Sequence, residues 1–252
     1  MLNSRWLLAF IALFISSESL AKTCKSLNIS GSDQWYPIAY QADNKAQGIA
    51  YDVSRLIAKK LAIPAYIDAS QPWARAIKKL EVGKLDMMAG VYWTQDRVNS
   101  FLLSEAFTRD TLNIYVKKGQ EFSFSQLSDL IGKKTDILRG SSNGEDFDDF
   151  VRAQQGDTHF NYVDSFKQMF LRLYRGRTDY VILDPYTSSQ VMKALNLEEE
   201  FTQLAHPLTV NPVHLMLSKT SPCSKYITQI NNIITAAELD GTLEKLHDKY
   251  FN

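Results

Sequence analysis

Two stretches, GKLDMMAGVYWTQDR (Gly83 to Arg97) and GRTDYVILD (Gly176 to Asp184), decide the reading of this chain. Each begins with Gly, a basic residue, one spacer and Asp, and each then enters an apolar run. Leu85 to Val91 is almost wholly apolar, the pattern of a strand covered on both faces in a parallel sheet. The first stretch delivers Arg97 soon after its strand. The second delivers Asp184 at its strand end. A cation and an anion presented from two strand ends could grip a small zwitterion.

Outward from these stretches, strand-like and helix-like segments alternate, which predicts an α/β fold. Leu27 to Ser30 reads as a strand and Trp35-Tyr36-Pro37 as a loop. Asp52 is placed to cap a helix with Val53, Leu56, Ile57 and Leu61 on one face. Ala65 to Ile67 reads as a strand, and Ser70 as the cap of a helix with Pro72 in its first turn. After the strand Leu112 to Val116 the pattern starts afresh. Thr135 to Leu138 is a strand before the turn Gly140-Ser141-Ser142, and a helix follows around Phe147 to Ala153. Phe166, Met169, Phe170 and Leu173 mark a further helix face. Asp184 and Pro185 are the N-cap and first position of the next helix. Val213 to Leu217 is a strand, and two helices close the chain.

The 252 residues suffice for one large domain or two medium lobes. With 28 basic and 28 acidic residues the formal charge is zero, which points away from nucleic acid or an anionic membrane surface as partner. The four histidines are scattered without ligand spacing, so no metal site and no cofactor are expected.

Arg5 precedes the apolar run Trp6 to Ile15, and Ser19-Leu20-Ala21 supplies small residues for a cut after Ala21. This is the pattern of a secretory signal peptide; a membrane anchor is the alternative, but the run is short for a span. Lys22 and Thr23 before Cys24 match a lipoprotein signal poorly. In an exported protein, two cysteines usually mean one disulfide, here Cys24 with Cys223, with two free buried thiols as the alternative.

The order and spacing of several motifs resemble the family 3 extracellular solute-binding proteins, the amino-acid receptors of ABC importers. The motifs are Gln47 to Val53, Gly83 to Asp86, Thr94 to Arg97 with Phe101, Ser104 and Phe107, Leu127 to Lys134, Gly176 to Asp184, and Asp240 to Leu243 with Lys249 to Phe251. The resemblance covers nearly the whole chain after the leader. It implies a two-lobed periplasmic-binding-protein fold of type II, with mixed or parallel sheets flanked by helices and a hinge of two crossovers. The crossovers are expected near Thr108 to Asp110 and Val210 to Pro212. That makes 1–21 a signal peptide, 22–109 with 212–252 lobe 1, and 110–211 lobe 2.

The resemblance also assigns roles. Arg97 matches the arginine that binds a ligand α-carboxylate, for which a rigid fork of donors is suited; the plainer reading is a surface arginine. Thr94 as N-cap would set Arg97 in a first helical turn, where the helix dipole disfavours a cation. Asp184 matches the aspartate that accepts the α-ammonium, although Asp before Pro is also simply a good cap. Ser141 and Ser142 match small hydroxyl residues that meet the carboxylate, or form a polar turn. Trp35 or Tyr36 falls at an aromatic lid position. Trp73 and Trp93 are candidate cleft walls, though aromatics are more often core. Arg75 lies off the apolar face of its helix.

The chain departs from the family pattern where Ala89, Gly90 and Tyr92 replace small hydroxyl residues, and where Arg139 replaces a glutamine before Gly140. The expected function is capture of an amino acid or similar small polar solute, without chemistry, and delivery to an ABC permease by a periplasmic monomer. A sensor that has lost transport and a cyclohexadienyl-dehydratase-like enzyme are the alternatives. Against the enzyme, no nucleophile elbow, metal motif or carboxylate pair placed together by spacing is found.

Overall fold

The computed structural model describes residues 23–154 and 158–251; the expected leader, 1–21, lies outside them. The first half comprises β1 (Leu27–Gly31), β2 (Gln34–Trp35), β3 (Ala39–Ala42), β4 (Lys45–Gln47), α1 (Ile49–Leu61), β5 (Ala65–Ile67), α2 (Trp73–Glu81), β6 (Met87–Tyr92) and α3 (Gln95–Ser100). The long strand β7 (Phe101–Lys117) follows. Beyond it come β8 (Thr135–Leu138), α4 (Glu145–Ala153), β9 (Phe160–Val163), α5 (Phe166–Tyr174), β10 (Val181–Leu183), α6 (Pro185–Leu195) and β11 (Phe201–Gln203). The return strand β12 (Thr209–Ser218) leads to α7 (Ile227–Leu239) and α8 (Thr242–Phe251).

This is a two-lobed α/β architecture, and β7 is the element common to both lobes. Its first twelve residues pair with β12, from Phe101 opposite Ser218 to Leu112 opposite Thr209. Its last residues lie between β10, which meets Asn113 to Tyr115, and β11, which meets Tyr115 to Lys117. The two segments expected as crossovers are therefore not loops. They are the middle of two antiparallel strands, with Asp110 opposite Asn211 and Thr111 opposite Val210. The sheet order is β10-β7-β12-β6-β1-β5, with β11 added on β7. A parallel pair, β8 and β9, joins the second lobe through a bridge from Thr135 to Tyr180.

The two Gly-basic-x-Asp turns serve packing. Asp86 accepts hydrogen bonds from the backbone N–H and side chain of Asn28 (both 2.8 Å) and from the Ser221 hydroxyl (2.5 Å), tying β6 to β1 and to the segment after β12. Asp179 accepts from the Lys134 N–H at 2.7 Å, tying the approach to β10 onto β8. All six residues of β6 are buried, as its apolar run predicts. Gly90 sits where the β6–β12 register slips: His214 is opposite Val91 and Leu215 opposite Ala89. Its φ of +85° suits a bulge that only glycine takes up without strain, and an added Cβ would lie 3.2 Å from the Trp35 ring.

Several local expectations change. Helix α1 starts at Ile49 with Gly48 as N-cap, and Asp52 lies inside its first turn, where it pairs with Arg55, Lys249 and Tyr250. Ser70 does not cap α2; its hydroxyl donates to Asp68 and Pro72 holds the N-cap position. Trp35 ends a short strand of a three-stranded sheet rather than lying in a plain loop. Asp184 leaves a strand that pairs antiparallel with β7, so its position is not the carboxyl end of an ordinary parallel strand.

Cys24 and Cys223 form a disulfide that closes a loop of 199 residues. Among the described residues no helix is long and apolar enough to cross a membrane. Replacing both cysteines by serine removes this constraint on the unfolded chain and is expected to lower stability by about 2–4 kcal/mol in urea unfolding. A variant with an unchanged unfolding midpoint would contradict that role for the bridge.

Candidate functional site

Between the lobes lies a cavity of about 60 Å³. Arg97 reaches it from the first turn of α3. The Thr94 side chain caps that helix, accepting from the Arg97 N–H at 3.2 Å, which fixes where the arginine leaves the backbone. One terminal nitrogen of the guanidinium donates to the Tyr92 carbonyl at 2.7 Å, aiming the group back along β6. Burial pulls its pKa down to about 10, an effect that Asp148 opposes, so the group stays cationic at neutral pH.

Asp184 reaches the cavity from the second lobe. It is 1% exposed and caps α6, with Oδ1 accepting from the Thr187 N–H at 2.7 Å. Its Oδ2 is buried without a hydrogen-bond partner among the described residues. Burial, and then the nearby Asp110 carboxylate, hold its titration well above the usual range.

Asp110 was missed in the sequence reading. β10 ends with Leu183 opposite Asn113, just before Asp184, and Asp110 lies three residues before Asn113 on β7. Asp110 Oδ2 accepts from Trp35 Nε1 at 3.1 Å and from the Tyr92 hydroxyl at 2.5 Å. The two rings meet edge to face with centroids 5.2 Å apart. Both aromatics line the cavity, whereas Asp110 stands behind them. Burial raises its pKa, against the pull of those two hydrogen bonds. The carboxylate pair that spacing did not suggest is thus present. Its trace in the sequence is one acid on the β7 face that otherwise carries Leu112, Ile114 and Val116.

The turn after β8 supplies Ser141, Ser142 and Asn143. The Ser141 hydroxyl donates to the Leu138 carbonyl at 2.8 Å and that of Ser142 to Asp148 at 2.6 Å. Asn143, also missed from sequence, is 9% exposed, and its Nδ2 has no hydrogen-bond partner. Trp73 lines the cavity and donates through Nε1 to the Gly140 carbonyl at 2.8 Å, one of several bonds from lobe to lobe. Others run from the Phe166 N–H to Gln34 Oε1 (3.0 Å) and from the Thr187 hydroxyl to the Tyr36 carbonyl (2.8 Å).

Of the residues singled out from sequence, the cavity brings together Arg97, Asp184, Ser141, Ser142, Trp35, Trp73 and Tyr92. It does not bring in Tyr36, whose ring packs edge-on against Tyr40. Arg75 is on the exposed side of α2. Arg139 is exposed and turned to Asp164 and the Tyr162 carbonyl. Trp93 is 41% exposed and borders a separate, larger depression with Phe124 and Leu208.

The raised titration of Asp184 and Asp110 has a sign that can be tested. In the ligand-free protein these groups hold protons that the unfolded chain has already released. Their contribution to stability is fully present below the ordinary aspartate range and is lost as pH rises through the raised folded values. Between about pH 5 and pH 8, Asp184→Asn is expected to flatten this decline. At the upper end the variant should be more stable than the parent by on the order of 1–3 kcal/mol. Equal pH slopes for the two proteins in thermal unfolding would contradict it.

A family model, bacterial extracellular solute-binding proteins, family 3, matches residues 27–252. The chain is 23% identical over 241 residues to the protein named probable amino-acid-binding protein YxeM of Bacillus subtilis (strain 168), covering 90% of this chain and 84% of that one. Among solved structures it is similar to an ancestral arginine-binding protein bound to glutamine, at 25% identity and a TM-score of 0.74, over 90% of this chain and 98% of that one. A histidine kinase sensor domain with similarity to periplasmic binding proteins superposes with a TM-score of 0.78 at 14% identity, over 90% and 96% of the two chains, and shows the fold alone.

Proposed function

The chain belongs to family 3 of the bacterial extracellular solute-binding proteins, and from that premise we propose that it captures a free amino acid, or a solute with the same zwitterionic head, in the interlobe cavity. The observation that carries the reading is the buried, unpartnered Oδ2 of Asp184 on the same small cavity as Arg97. A ligand ammonium completes the aspartate, and a ligand carboxylate takes the fork of the arginine. With the Ser141 and Ser142 hydroxyls and the Ser141, Asn143 and Gly144 N–H groups donating to protein acceptors, the Asn143 side-chain amide is a group of that turn left to assist the carboxylate. Trp35, Trp73 and Tyr92 form the walls.

In this reading the lobes are 22–109 with 212–252, and 110–211, and they close on the solute about the β7–β12 pair. The leader is cut after Ala21, and a monomer in the periplasm delivers the solute to an ABC permease. The Asp110–Asp184 pair is the one observation that favours chemistry on this scaffold, since paired buried carboxylates suit proton transfer. Asp110, however, is engaged by Trp35 and Tyr92 behind the cavity wall, so a single carboxylate reaches the ligand. Incubation with prephenate or arogenate that releases an aromatic product would favour the enzyme instead.

Protein stripped of co-purified solute by unfolding and refolding is expected to bind at least one standard amino acid in calorimetry. Arg97→Ala and Asp184→Asn should each weaken that binding by about 100-fold or more, as loss of one partner of a buried charged pair does. Binding by both variants at parental affinity would overturn the clamp.

A further inference from the structure

The cavity constrains the rest of the ligand as well as its head. This step rests on the amino-acid reading above and concerns the side chain. Among the described residues that line the cavity, Arg97 and Asp184 are the only charged ones, and in the proposed function the zwitterionic head takes both. Apart from Ser32 and the Ser141–Asn143 turn, the remaining wall is apolar, formed chiefly by Trp35, Trp73, Leu112, Leu138, Phe166 and Leu183.

These wall residues are parts of the lobes rather than free side chains. Leu112, Leu138 and Leu183 are 3%, 7% and 4% exposed and belong to or adjoin the main core. Phe166 is the first residue of α5, where the Ser165 side chain caps the helix and Gln34 of the other lobe holds the Phe166 N–H. Asp110 adds negative charge behind the wall, but its Oδ2 is shared by Trp35 and Tyr92, so it offers no second anionic contact to a basic side chain.

Size points the same way. At about 60 Å³ the cavity is small, space for a compact ligand rather than one with a long side chain. A long cationic side chain would have neither room nor a partner for its charge. We propose that the ligand is an α-amino acid with a compact apolar side chain of about one to four carbons, held by walls of Trp35, Trp73, Leu138 and Phe166.

Calorimetric titration of the stripped protein with a graded series tests this. From glycine through alanine and 2-aminobutyrate to valine, each added carbon should tighten binding roughly fourfold, until the cavity is full. Arginine, lysine, glutamine and cystine should bind at least about 100-fold more weakly than valine. Phe166→Ala, checked for a cooperative melt, should move the optimum to longer apolar side chains; the parent series decides the matter even if that variant does not fold. A tightest ligand with a charged or amide side chain would overturn this inference and leave the proposed function standing. Binding of no amino acid at all would overturn both.

Discussion

Taking a carboxylate out of water is costly unless hydrogen bonds and opposite charge replace its hydration. Asp184 meets half of that demand: the helix it caps satisfies Oδ1, while Oδ2 remains buried without a partner and Asp110 adds repulsion. A structural cap needs only the first of these features. The second makes sense for a group completed by something that comes and goes. The empty protein avoids that cost by keeping the group protonated, and an arriving cation makes the ionised form favourable.

The rest of the architecture places that carboxylate opposite a guanidinium. β7 runs through both lobes, and its register with β10 fixes the strand from which Asp184 emerges. The Gly90 bulge lets Trp35 pack onto β6 just before that strand delivers Tyr92 and then Arg97. Asp110, on β7 itself, accepts from both aromatics and so couples the wall of one lobe to the strand that enters the other. In the proposed reading, closure of the lobes organises the walls and the charges together.

Much of this was legible in the sequence because it rests on local rules. Apolar runs, the Thr94 and Asp184 caps and the Gly-basic-x-Asp turns each depend on a few neighbouring residues, and each is found as read. What sequence did not supply are relations between distant segments. Asp110 becomes a partner of Asp184 only through the β7–β10 register, 74 residues apart in numbering. Arg139 follows its strand as predicted, yet finds Asp164 and the Tyr162 carbonyl on the neighbouring strand's side and turns outward. The crossovers were expected as connections, whereas their mutual backbone hydrogen bonding makes them continuous strands.

The central claim is that Asp184 Oδ2 receives the ligand's ammonium. Carbon-13 NMR of the Asp184 side-chain carboxyl, titrated with pH in the empty protein and in its complex with the tightest-binding amino acid, tests it most directly. The midpoint should lie well above the ordinary aspartate range in the empty protein and fall sharply in the complex, as a charged partner arrives. A midpoint that ligand leaves unmoved would contradict it.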